Sequence, residues 1–326
     1  MKHDSYLYKL IFFLCILINN TIGDVPNFIS GFGLTVCSFQ QLNTRLYEVI
    51  VSSNEVRGNQ TISILLPEDY STSRLQRHYP VLYLLHGAHQ NATSWIVDGQ
   101  VQNTTSNVSL ITVMPNGDPV GFYTNWVFPE DFAPQNWQIF HMEQLVPWID
   151  LNLRTISKKH GRAIAGLSMG GYGAIHYAEL YSNYFIYAAS FSGPLDLLDT
   201  NVQYKILNLT SIDGKPISAA FGDPQAPLSS NSWFTQSTIT RVAELHDISI
   251  ALYNGNKGYP ESIYRNGFYQ LRDLLILFQI PVYFDDYGDG QSIGHGCDGA
   301  HDWFCFRASF IDVLPRIMIV LEQQSF

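Results

Sequence analysis

The run Arg162–Tyr181, RAIAGLSMGGYGAIHYAELY, restricts the fold more than any other stretch of the chain. An apolar segment of strand length runs into Gly166-Leu167-Ser168-Met169-Gly170, and a segment of small and apolar residues with helical character follows. A serine bracketed by glycines between a strand and a helix predicts a sharp strand-to-helix turn in sparsely allowed backbone space. Glycines at both flanks let the strand and the helix approach without a Cβ between them. Such a turn lifts the Ser168 hydroxyl to the C-terminal edge of a sheet, at the start of the next helix.

Other segments repeat this layout. PVLYLLHG (80–87), SLITVMP (109–115), YAASFSG (187–193), ISIALYNG (248–255) and PVYFDDYG (281–288) are nearly continuous apolar runs. That pattern suits parallel strands covered on both faces. Helical patterns fall at 139–153, 170–181 and 264–278. RLYEVIVSS (45–53) and TISILLP (61–67) read as a leading antiparallel hairpin joined near Arg57-Gly58. The expected fold class is α/β, with one mostly parallel central sheet and helices on both faces.

A serine alcohol is a weak nucleophile and needs a base, an acid that orients the base, and donors for the developing oxyanion. One donor is expected from the amide of Met169, and the other from Ala88, after the strand that ends at His86-Gly87. The base must follow the serine in the chain. His176 is assigned to the helix behind the serine and His246 to the wrong edge of the sheet. GHGCDGAHDWFCF carries the remaining two candidates, of which His301 is favoured, with His295 as the alternative.

The N-terminus reads as a secretory leader, residues 1–23. Lys2 and Lys9 precede LIFFLCILI (10–18), nine apolar residues, too few to span a bilayer and suited to a cleaved segment ending near Gly23. An uncleaved anchor is the alternative. One domain, residues 24–326, is then expected outside the cell, with no stable membrane insertion once the leader is removed. Asn59, Asn91, Asn103, Asn107 and Asn208 head Asn-X-Ser/Thr triplets, acceptors for N-glycosylation in that compartment. Beyond the leader stand Cys37, Cys297 and Cys305. Cys297 and Cys305 are close enough to close a small loop around His301, which leaves Cys37 as an expected buried thiol; a pairing of Cys37 with either remains open. The net charge of −10 and the lack of a basic stripe argue against a nucleic-acid partner. No metal motif or phosphate-cradling loop is present, so no cofactor is expected.

YPVLYLLHG, VMPNG…FYTNW (113–126), GLSMGGYGA and GAHDWFCFR (299–307) together resemble the esterase-D-like family of α/β hydrolases, which includes feruloyl esterases, S-formylglutathione hydrolases and trehalose mycolyltransferases. The resemblance spans most of the chain from Arg45 to about Arg316. It implies an α/β-hydrolase fold, Ser168 as nucleophile, His301 as base, and Ala88 and Met169 as oxyanion donors. It also matches Trp303 to a tryptophan on the acyl-acceptor side. Many members carry an aspartate in a turn that here reads Gly255-Asn256-Lys257-Gly258, without a carboxylate. In the mycolyltransferases the acid sits on the following helix, where Asp273 occupies a similar position, and Asp273 is the favoured acid. Glu261 is the alternative, with Asp285, Asp286 and Asp298 behind it. Tyr123 and Trp126, within FYTNWVFPEDF (122–132), are expected to line the pocket.

The expected activity is that of a secreted serine carboxylesterase acting on a small-molecule or carbohydrate ester. The alternatives are an acyltransferase that passes the acyl group to an alcohol or sugar, and a non-catalytic hydrolase-like binding domain. His86-Gly87-Ala88-His89 stands where the mycolyltransferases show an Asp-Gly pair followed by an arginine, which favours water over trehalose as acceptor.

Overall fold

The computed structural model describes residues 25–321, so the leader expected at 1–23 lies outside the described residues. Nine strands form one sheet: β1 (Thr35–Gln41), β2 (Leu46–Ser52), β3 (Asn59–Leu65), β4 (Val81–Leu85), β5 (Ile111–Pro115), β6 (Arg162–Leu167), β7 (Tyr187–Phe191), β8 (Ser249–Gly255) and β9 (Val282–Gly288). Their spatial order is β1-β2-β3-β5-β4-β6-β7-β8-β9. The first three strands and the β3–β5 pair are antiparallel; β5, β4, β6, β7, β8 and β9 run parallel. This is the α/β-hydrolase fold.

Chain order reverses at β4, which has β5 on one side and β6 on the other. In open α/β sheets that switch point opens a crevice beyond the carboxyl ends of the strands. The loops after β4 and β6 both empty into it.

Five longer helices complete the fold: α1 (Met169–Leu180), α2 (Thr200–Ile212), α3 (Pro227–Gln236), α4 (Glu261–Leu277) and α5 (Trp303–Val320). Residues 137–152 add an irregular helical segment. The period-2 alternation of the central strands sorts the core into two layers. Val81, Tyr83 and Leu85 of β4 face α1, α4 and segment 137–152, while Leu82 and Leu84 face α5 and Trp95. Both faces are covered, which is why these strands read as unbroken apolar runs.

Two elements and one cysteine differ from the sequence reading. β1 is an edge strand whose TVCSFQQ is mostly exposed, so it has no apolar pattern to betray it. Cys37 sits on it with an exposed free thiol, rather than buried as expected. α5 falls where no helical pattern is assigned from the sequence, and buries Phe306, Phe310, Val313 and Ile317.

Three imidazoles are buried in the scaffold. His86 is pushed down to about 4 and His141 and His176 to about 3, in each case chiefly by loss of hydration. The unfolded chain binds protons at these rings below about pH 6.5, whereas the folded chain does not. Stability is therefore fully present above about pH 6.5 and is lost as pH falls towards the folded values. Urea melts taken from pH 7 to pH 4.5 should show falling stability, by up to about 1.4 kcal/mol per pH unit for each ring. His176→Phe, which keeps the stack on Tyr172, should make that slope shallower; an unchanged slope would mean that His176 is not held neutral.

Candidate active site

β6 ends at Leu167 and α1 begins at Met169, leaving Ser168 alone to make the turn at φ 53°, ψ −121°. A non-glycine residue there stores roughly 1–3 kcal/mol of strain and persists only where its surroundings hold it. The Ser168 amide donates to the Phe191 carbonyl at 2.8 Å, while its own carbonyl accepts from Gly171 and Tyr172 at 2.9 and 3.1 Å. A Cβ on Gly170 would lie 2.6 Å from the carbonyl oxygens of Leu85 and His86, and one on Gly166 would collide with the Gly170 carbonyl.

His301 Nε2 stands 2.9 Å from Ser168 Oγ. On the other side of the ring, Nδ1 stands 2.8 Å from Glu261 Oε1. Glu261 is the first residue of α4 and is fully buried. Its Oε2 accepts from Asn254 Nδ2 at 2.7 Å and from the Gly255 amide at 3.2 Å. These donors and the positive end of α4 offset the burial of a carboxylate. Phe306 meets the imidazole edge-on at 5.0 Å and Tyr264 at 5.7 Å, so the ring is clamped on two sides.

The loop that carries His301 is held at several points. Lys257 donates its amide to the Gly299 carbonyl at 2.9 Å. Cys297 and Cys305 form a disulfide. Asp302 caps α5 by accepting from the amides of Phe304 and Cys305 at 2.9 and 3.2 Å.

Asp273, the expected acid, is elsewhere. It lies twelve residues along α4 from Glu261, about 18 Å at 1.5 Å per residue, and its exposed carboxylate pairs with Arg272 at 2.6 Å. The helix carries it away from the carboxyl ends of the strands, where His301 sits. Asp286 pairs with Arg265 and Asp298 with Lys257. His295 is exposed.

The loop after β4 is built on His86. Its Nδ1–H donates to the Gly87 carbonyl at 2.8 Å and its Nε2 accepts from the Gly117 amide at 2.8 Å, as suits a neutral ring. Gly87 lies so close to the serine turn that a Cβ would fall 2.5 Å from Leu167 Cδ1 and 3.3 Å from Ser168 Cβ. Ala88 therefore borders the same pocket as Ser168. Among the described residues, neither the Ala88 amide nor the Met169 amide donates to a protein acceptor. The Met169 side chain turns inward, and its sulfur accepts from the Phe122 amide at 3.4 Å.

The pocket above Ser168 has a volume of 330 Å³. Trp303 forms part of its wall and packs edge-on against Trp95 at 5.2 Å. Tyr123 and Trp126, expected beside it, are not in the wall. Tyr123 is fully buried and donates its hydroxyl to the His86 carbonyl at 2.9 Å, bracing the loop from behind. Trp126 is buried and donates to the Gly121 carbonyl at 3.1 Å. Lys205 and Leu209 of α2, together with Pro260 and Tyr264, line the pocket and had no sequence signal. A larger groove of 730 Å³, between residues 100–109 and Ile311, Leu314, Pro315 and Met318, holds no titratable side chain.

The family model described as "Putative esterase" matches residues 53–317. The chain is 40% identical over 168 residues to the esterase Rv1288 of Mycobacterium tuberculosis, covering 51% of this chain and 36% of that one. It thus spans about a third of the length of that relative. It is 31% identical over 255 residues to the diacylglycerol acyltransferase/mycolyltransferase Ag85C of Mycobacterium leprae, covering 74% of each. The crystal structure of Mycobacterium tuberculosis MPT51 superposes with a TM-score of 0.68 at 17% identity, covering 88% of this chain and 100% of that one.

The two carboxylates can be told apart by the reactivity of Ser168 towards a fluorophosphonate. Glu261→Gln should slow labelling by roughly 10³-fold or more. Asp273→Asn should label at the wild-type rate. Equal rates for wild type and Glu261→Gln would remove Glu261 as the acid.

Proposed function

Because the chain belongs to the Esterase family, we propose that it hydrolyses a carboxylic ester through an acyl-enzyme on Ser168. The observation that carries this reading is the single imidazole that reaches Ser168 Oγ through one nitrogen and a buried carboxylate through the other. In the first step His301 takes the Ser168 proton as Oγ attacks the ester carbonyl. Glu261 fixes the tautomer that leaves Nε2 free to accept it, and stabilises the imidazolium that results. The carbonyl oxygen becomes an oxyanion between the amides of Ala88 and Met169; Met169 adds the positive end of α1. Collapse expels the alcohol, which leaves with the proton from His301. Water, deprotonated by the same ring, then attacks the acyl-serine and restores the enzyme.

We place this activity outside the cytosol. The apolar leader motivates this reading, and the Cys297–Cys305 disulfide supports it, since such bonds persist in oxidising compartments. The five sequon asparagines are all exposed, as acceptors must be. The likeness to Ag85C supports a second reading, in which an alcohol replaces water in the second step.

Ser168→Ala should leave the fold intact and lower kcat by roughly 10⁴–10⁶ on the best substrate from a panel of chromogenic esters of graded acyl length. Near-normal turnover by the variant would rule out Ser168 as nucleophile. Repeating the panel with added alcohols separates the two readings: a transferase releases the chromophore faster and yields a new ester, whereas a hydrolase yields free acid alone.

A further inference from the structure

We propose that Lys205 selects esters that carry a second, anionic group, a carboxylate or a phosphate or sulfate, on the acyl or the alcohol part. This rests on the esterase reading above and adds the charge of the substrate to it.

α2 presents two faces. Val202, Ile206 and Thr210, at i, i+4 and i+8, are buried and fix the helix to the core. The Asp199 carboxylate caps its first turn, accepting from the Asn201 amide at 2.8 Å. Lys205 and Leu209 lie on an adjoining stripe and form one wall of the pocket that holds Ser168 and His301. The helix is thus anchored independently of Lys205.

Lys205 has no carboxylate partner among the described residues. Its ammonium lies 4.9 Å from the centre of the Tyr259 ring, and burial alone lowers its pKa. The other titratable side chains around the pocket have partners. Asp302 caps α5, Glu261 faces His301, and His89 lies 3.6 Å from Asp213. Lys215, near the same rim, is held between Asp118 and Asp213. A partly desolvated ammonium without a counter-charge gains most from an anion brought by the ligand. On a chain of net charge −10, which repels anions at long range, such a local cation also decides whether an anionic ester is accepted at all.

Two matched pairs of esters read the proposal and locate the anion. Mono-(4-nitrophenyl) adipate against its methyl ester puts the charge on the acyl side. Acetoxybenzoate against its methyl ester puts it on the alcohol side. In at least one pair, the ratio of kcat/KM, anionic over neutral, should fall about tenfold in Lys205→Met and return in Lys205→Arg. A ratio unchanged by Lys205→Met in both pairs overturns the proposal. Calorimetry reads the same site without turnover: monomethyl adipate or hydroxybenzoate should bind Ser168→Ala about tenfold more tightly than Ser168→Ala/Lys205→Met. Should the wild type hydrolyse none of the four esters while this binding difference holds, the esterase reading falls and the anion site stands. Should the neutral esters be hydrolysed while neither ratio nor binding responds to Lys205, the anion site alone falls.

Discussion

The arrangement depends on one backbone conformation, the left-handed turn at Ser168. It is unfavourable in isolation and is held by contacts that leave no room for alternatives. Gly170 packs against the carbonyls at the end of β4, Gly87 packs against the serine from the next loop, and the Ser168 amide is tied to β7. These contacts join β4, the strand at the chain reversal, to β6 and β7 beside it. Shifting any one of them would move the hydroxyl relative to the two unengaged amides.

His301 and Glu261 come to this turn from separate elements, and each is fixed before they meet. Glu261 takes its place from the start of α4 and from Asn254 and Gly255 at the end of β8. His301 takes its place from a loop tied back by a disulfide, a helix cap and two aromatic edges. On the proposed mechanism, little has to be reordered when charge develops at His301. The buried carboxylate is tolerable because both of its oxygens are engaged.

The serine turn, the parallel strands and the loop bearing His301 were legible because each leaves a local trace: glycines at fixed offsets, apolar runs, a histidine after the last strand. The acid was not. Choosing between Glu261 and Asp273 requires knowing where α4 starts relative to the end of β8, and the apolar pattern places that start three residues late, at Tyr264. A carboxylate at the first position of a helix faces the strand ends, whereas one twelve residues on does not. Tyr123 and Trp126 misled for a related reason. An aromatic residue reads alike in a pocket wall and in the core behind it, and Tyr123 reaches the site only through the His86 carbonyl. β1 and Cys37 escaped because an exposed edge strand carries no burial pattern.

One wall of the pocket comes from a different part of the chain than Ser168 and His301. Ser168 and the two amides sit on turns where the sheet leaves almost no space for a larger residue. α2, by contrast, belongs to residues 192–248, the excursion between β7 and β8, and touches the pocket with one stripe of its surface. Exchanging residues on that stripe alters what the cavity admits without disturbing the strained turn or its neighbours. What the cavity admits can therefore drift among descendants of such a chain while Ser168 and its neighbours stay in register.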